Sequence, residues 1–97
     1  MIVRIVKLSI EPGKIGLFMK SFDDVKEQIR AFEGCYHMEL LTDPGGSGVV
    51  FTYSTWDNET SLEKYRKSSL FQSTWAQVKP LFAAKAEAWT LNKYDLV

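Results

Sequence analysis

From Ile2 to Ile10 the apolar side chains crowd together without alternating. Ile2, Val3, Ile5, Val6, Leu8 and Ile10 would fall on both faces of an extended chain. That pattern predicts a strand covered on both sides, ended by Pro12 and Gly13. At Lys14 the period changes. Ile15, Phe18, Met19, Phe22, Val25, Ile29 and Phe32 recur at three and four, a single apolar helix stripe with Gly34 as its stop. Residues 35–43 predict a second strand, Pro44 to Gly48 a hairpin loop, and residues 49–56 a third strand. Asp57, Asn58 and Thr60 compete as the next N-cap, and Thr60-x-x-Glu63 reads as a capping box. Leu62 and Tyr65 share a side of the helix that follows. Ser69-x-x-Gln72 can restart a second helix carrying Phe71, Trp75, Val78 and Phe82, with Pro80 limiting its end. Residues 84–91 predict the last strand, and a tail runs from Asn92 to Val97.

The order β-α-β-β-α-β predicts one α+β domain over residues 1–97, a ferredoxin-like antiparallel sheet with helices on one face. Helices on one face leave the other bare, yet the first strand is apolar on both. Phe51, Tyr53 and Trp89 add bulk to later strands. A second copy of the chain is the simplest cover, so a homodimer is expected.

Charge and cysteine content narrow the partners. The formal net charge is zero and no basic face stands out, which argues against nucleic acid. The single cysteine, Cys35, excludes an internal disulfide and fits a reducing compartment, with the cytoplasm as the expectation. No apolar run approaches the roughly 20 residues of a membrane helix. One histidine and one cysteine are too few to hold a metal, and none is expected.

The stretch Val49 to Gln72, VVFTYSTWDNETSLEKYRKSSLFQ, is the most informative. A strand ends on Trp56, helix-start residues follow at once, and a serine-containing break precedes an aromatic. With Pro12-Gly13 after the first strand, Glu33-Gly34-Cys35 before the second, Leu62, and Ser68 to Phe71, this stretch resembles the antibiotic biosynthesis monooxygenase domains of the dimeric α+β barrel superfamily. The resemblance covers nearly the whole chain. It implies a dimer packed sheet to sheet and a pocket in each subunit between sheet and helices. Activities in that family include cofactor-free oxygenation of aromatic polyketides, quinol oxidation, haem degradation and isomerisation of small signalling molecules. Many members carry a histidine where this chain has Tyr65. The asparagine, tryptophan and haem-ligating histidine of the haem-degrading branch align near Val6, Tyr65 and Trp75. All three differ, which disfavours haem degradation.

Oxygenation without a cofactor needs a base, a donor for a developing oxyanion, and a dry apolar pocket. His37 is the only side chain with an unperturbed pKa near neutrality. Strand alternation sets it on one face with Cys35 and Glu39. It is read either as a general base beside a carboxylate or as a strand residue facing water or a dimer partner. Trp56, Tyr65, Phe71 and Trp75 are read either as walls stacking on a planar substrate, with the Tyr65 hydroxyl as donor, or as ordinary core. Phe18 and Phe22 belong to the core, and residues so placed also roof the family's pocket. Tyr53, or Thr52 and Ser54 on the opposite face, can place hydroxyls in the cavity. Arg66 and Lys67 read as a solvated face, and Cys35 as a small buried residue.

The resulting expectation is a cofactor-independent monooxygenase for a small planar aromatic, quinol or polyketide-like substrate. The alternative is a non-catalytic dimeric binding or interaction domain of the same fold.

Overall fold

In a computed structural model describing residues 1–97, the N-terminal apolar run forms strand β1 (Ile2–Ser9) and the helical stripe forms α1 (Ile15–Arg30). Strands β2 (Cys35–Thr42) and β3 (Val49–Trp56) make the hairpin. The second helical region is split into α2 (Glu59–Arg66) and α3 (Ser69–Val78). One 3-10 turn (Lys79–Leu81) leads toward β4 (Glu87–Asn92). The strands lie in the order β2-β3-β1-β4, each neighbouring pair antiparallel. This is the ferredoxin-like topology expected from the element order. The central place of β1 suits its doubly apolar composition.

Local chemistry refines the expected boundaries. Of the three candidates Asp57, Asn58 and Thr60, it is Asn58 that caps α2: its backbone is extended and its side chain accepts from the Ser61 N–H at 2.9 Å. Thr60 lies inside the helix, so the capping box does not form. Ser68 caps α3, accepting from the Phe71 N–H at 3.1 Å. Pro80 ends regular helix at Val78, so Phe82 is extended and forms an isolated bridge with Ile10. That bridge and the Ala83 N–H bond to the Ser9 carbonyl occupy the end of β1. Regular pairing with β4 therefore starts only at Glu87, opposite Lys7, later than residues 84–91 suggest.

Residues paired directly across strands share a face. Ile2, Arg4, Val6 and Leu8 of β1 point with Val50, Thr52, Ser54 and Trp56 of β3 toward the helices. Two buried clusters form there. Leu8, Ile10, Phe18, Val50 and Val78 make one, and Ile2, Cys35, Trp56 and Leu62 the other. The opposite face carries Val3, Ile5, Phe51, Tyr53, Trp89 and Leu91 with no helix over it. Trp89 and Leu91 remain more than two-fifths exposed there, an apolar area of the kind that marks an interaction surface.

Strand β2 carries a bulge. Cys35 pairs with Trp56, but His37 already pairs with Thr55, so Tyr36 is an extra residue. The bulge flips the alternation. Cys35 points to the helix side and is buried, while His37 and Glu39 point to the bare face. Strict alternation, which would keep Cys35 and His37 on one face, is corrected here by one inserted residue.

Candidate functional site: an aromatic-walled cavity between sheet and helices

Trp56 is the last residue of β3 and is fully buried. Its indole N–H donates to the Ser54 hydroxyl at 3.0 Å, two residues back on the same face. This bond fixes the ring plane. Tyr65 of α2 stacks on it, with ring centroids 5.0 Å apart at 25°. From Tyr65 the rings continue edge-on to Phe71 at 5.3 Å, and Phe71 stacks on Trp75 at 5.7 Å and 15°. The break between α2 and α3 makes this run possible. Ser68 donates to the Tyr65 carbonyl and caps α3, which turns Phe71 and Trp75 toward the same space as Tyr65.

Between these rings and the sheet lies a cavity of about 360 Å³, within the roughly 300–1,000 Å³ of small-molecule sites. Phe18 and Phe22 of α1 and Trp56, Tyr65, Phe71 and Trp75 line it, together with Val6, Leu8, Met38, Leu62 and Val78. Thr52, Ser54 and Thr74 supply hydroxyls to the lining. The Thr74 hydroxyl is engaged on the Leu70 carbonyl at 2.7 Å. Val6, Tyr65 and Trp75 all face this cavity.

Two candidate residues lie elsewhere. His37 and Tyr53 sit together on the bare sheet face, ring centroids 5.9 Å apart, and neither lines the cavity. His37 Nε2 lies 3.4 Å from Glu39 Oε1, and both side chains are about half exposed. Tyr65 is pushed up to about 12, first by burial and then by proximity to Cys35. At neutral pH it is therefore a hydroxyl donor and not a base. Burial also raises the Cys35 thiol, against smaller lowering effects from the His37 backbone and Arg30, which keeps it from thiolate chemistry. No group of three or more His, Cys, Asp and Glu side chains is gathered as metal ligands would be, and no helix is long and apolar enough to cross a membrane.

Arginine was the signal missed in the sequence. Arg4 and Arg66 both line the cavity, although Arg66 reads by helical position as solvated. Arg4 stands on the helix side of β1 because it pairs with Ser54 and Thr90, and its Nη1 donates to the Thr90 hydroxyl at 2.8 Å. Its pKa is held below the ordinary value by burial first, then by the charge of Arg66, with Glu63 opposing. It remains a cation, as arginine does in proteins. Alternation of β1 placed Arg4 on the helix side, but only the tertiary structure shows an open space in front of it.

A family model described as antibiotic biosynthesis monooxygenase matches residues 1–77. No curated protein is significantly similar in sequence. Among solved structures, a candidate antibiotic biosynthesis monooxygenase from Caulobacter crescentus superposes with a TM-score of 0.90 at 20% identity, covering 97% of this chain and 90% of that one. One from Nitrosomonas europaea gives 0.90 at 15%, covering 96% and 98%. A conserved protein from Methanosarcina mazei gives 0.89 at 20%, covering 97% and 94%. At these identities the likeness is one of fold.

Proposed function

The chain belongs to the antibiotic biosynthesis monooxygenase family, and on that premise we propose that it binds a small, planar, mostly apolar molecule in the cavity under Trp56 and oxidises it with dioxygen, without a prosthetic group. The observation that carries this reading is the cavity itself. Its walls are rings already stacked on one another, and about 360 Å³ leaves room for a ring system between these rings and the sheet. In such chemistry the substrate supplies the electrons. A phenol or anthrone loses a proton, and its carbanion bonds to one oxygen atom of dioxygen. The peroxide takes up a proton from water, the same carbon gives up its second hydrogen as a proton, and the O–O bond breaks as hydroxide leaves, so that a carbonyl stays on the ring and water is released. The apolar walls keep bulk water from the intermediate, and the Tyr65 hydroxyl is a donor within the site. The proton leaves to solvent in this scheme, because no lining side chain is a base near neutrality.

The lack of such a base also favours a second reading, a binding domain of the same fold that turns nothing over. His37 on the far face is the specific observation behind it. Oxygen uptake with anthrones, naphthols and quinols separates the two. Uptake that is lost in a folded Trp56→Ala variant supports the oxygenase. Binding without uptake across the panel refutes it and leaves the binding domain.

In either case the protein acts as a homodimer, in our proposal, with the bare sheet faces packed together. Its support is the apolar row Val3, Ile5, Phe51, Tyr53, Trp89 and Leu91, which no part of the same chain covers with a helix.

A further inference from the structure

We propose that Arg4 and Arg66 form an anion subsite in the cavity, and that the ligand is a planar phenol or enol held there as its oxyanion. This inference rests on the cavity being a small-molecule site and names the chemical class it takes. The observations are geometric. The lining is otherwise apolar or neutral: Arg4 and Arg66 are its only charged residues, and Tyr65 its only other titratable one. Glu63 holds Arg66 Nη1 at 2.7 Å and compensates that charge at the exposed rim. Arg4 has no such partner in any ion pair of the chain. Its one protein hydrogen bond goes to a neutral hydroxyl, Thr90, and the guanidinium fork has further donors to offer. Arg4 is thus left without an ion-pair partner, half-buried beside an apolar space, with Glu63 acting on it only from beyond contact distance.

Half-burying an unpaired guanidinium is costly, and a bound anion offsets that cost. A single ionised oxygen on a flat ring matches what is there. The ring lies among Trp56, Tyr65, Phe71 and Trp75, and the oxygen meets Arg4. The subsite also supplies what the cavity lacks in a base. A phenol or enol whose oxyanion is stabilised by Arg4 ionises at lower pH, so no lining residue has to remove its proton.

The sign of a pKa shift tests this. An apolar pocket without the arginines would raise the pKa of a bound phenol, since desolvation disfavours the charged form. The arginine subsite would lower it. The probe is 4-nitrophenol, whose ionised form absorbs at longer wavelength, titrated from acid to alkaline pH with and without saturating protein. The expected result is a pKa lowered on binding by about one unit, tenfold in the ionisation constant. Arg4→Gln, shown to be folded by circular dichroism, should abolish or reverse the shift, and Arg66→Gln at the exposed rim should reduce it. A bound probe whose pKa is unchanged or raised in the wild-type protein overturns the subsite and leaves the cavity reading intact. A shift that survives Arg4→Gln overturns the role of Arg4. If neither the phenol nor its neutral analogue 4-nitroanisole binds at all, the cavity reading fails and the subsite with it.

Discussion

Ser54→Ala is a one-atom change that should be costly only while Trp56 is present. The Ser54 hydroxyl is the acceptor for the Trp56 indole N–H, both residues are buried, and Trp56 has no solvent exposure at all. Removing the hydroxyl takes from a buried donor its one protein acceptor, a cost of about 1–3 kcal/mol. With an m-value of roughly 1.5 kcal/mol/M, the urea midpoint should fall by roughly 0.7–2 M. In the background of Trp56→Phe no donor remains, and the same Ser54→Ala change should cost under about 0.5 kcal/mol. Far-UV circular dichroism is the suitable signal, because it does not depend on the tryptophan being replaced. All four proteins must be compared at one concentration, since the apparent stability of the proposed dimer would depend on it. Equal costs for Ser54→Ala in both backgrounds would refute the account of how the indole is held. Ligand affinity should follow stability in sign, because the same bond fixes the ring on which Tyr65 stacks at 5.0 Å.

Other parts of the structure give further expectations. Gly34 has φ +86, and a Cβ there would meet the Ser61 side chain at 2.5 Å. Gly34→Ala should therefore cost more than the roughly 1–2 kcal/mol of left-handed backbone alone; Ser61→Gly should recover part of that, and a fully stable Gly34→Ala chain would contradict the packing. Tyr65, pushed up to about 12 from 10.0, should lend stability that is whole below the unfolded value and lost as pH rises from about 10 to about 12, on the order of 2–3 kcal/mol. Urea midpoints measured up that range should fall more steeply for the wild type than for Tyr65→Phe, and parallel curves would refute the burial of the phenol. Light scattering at micromolar concentration should report a dimer, and Trp89→Lys should shift it toward monomer. A wild-type monomer would leave the bare face without its proposed cover.

Much of the fold could be read from periodicity. The change from a doubly apolar strand to a three-and-four stripe, the Pro44–Gly48 turn and the serine near residue 69 located every element to within a few residues. These signals are local, because they depend only on which neighbours share a face of one strand or one helix. Trp56, Tyr65, Phe71 and Trp75 could also be grouped this way, since strand end and helix spacing bring them to one side of the chain.

Position across the sheet was not legible. One bulged residue, Tyr36, separates Cys35 from His37 and sends the only histidine to the face away from the cavity. Nothing in CYHMEL announces it, because a bulge is set by the partner strand's pairing. Arg4 and Arg66 lie far apart in sequence and each looks like ordinary surface charge. Only the folding of α2 over the helix side of β1 sets both beside the same apolar space. The sequence by itself determined the order and kind of the elements, through local period. The tertiary structure decided which charges face the cavity and which base does not, because register and long-range packing choose the face each side chain shares.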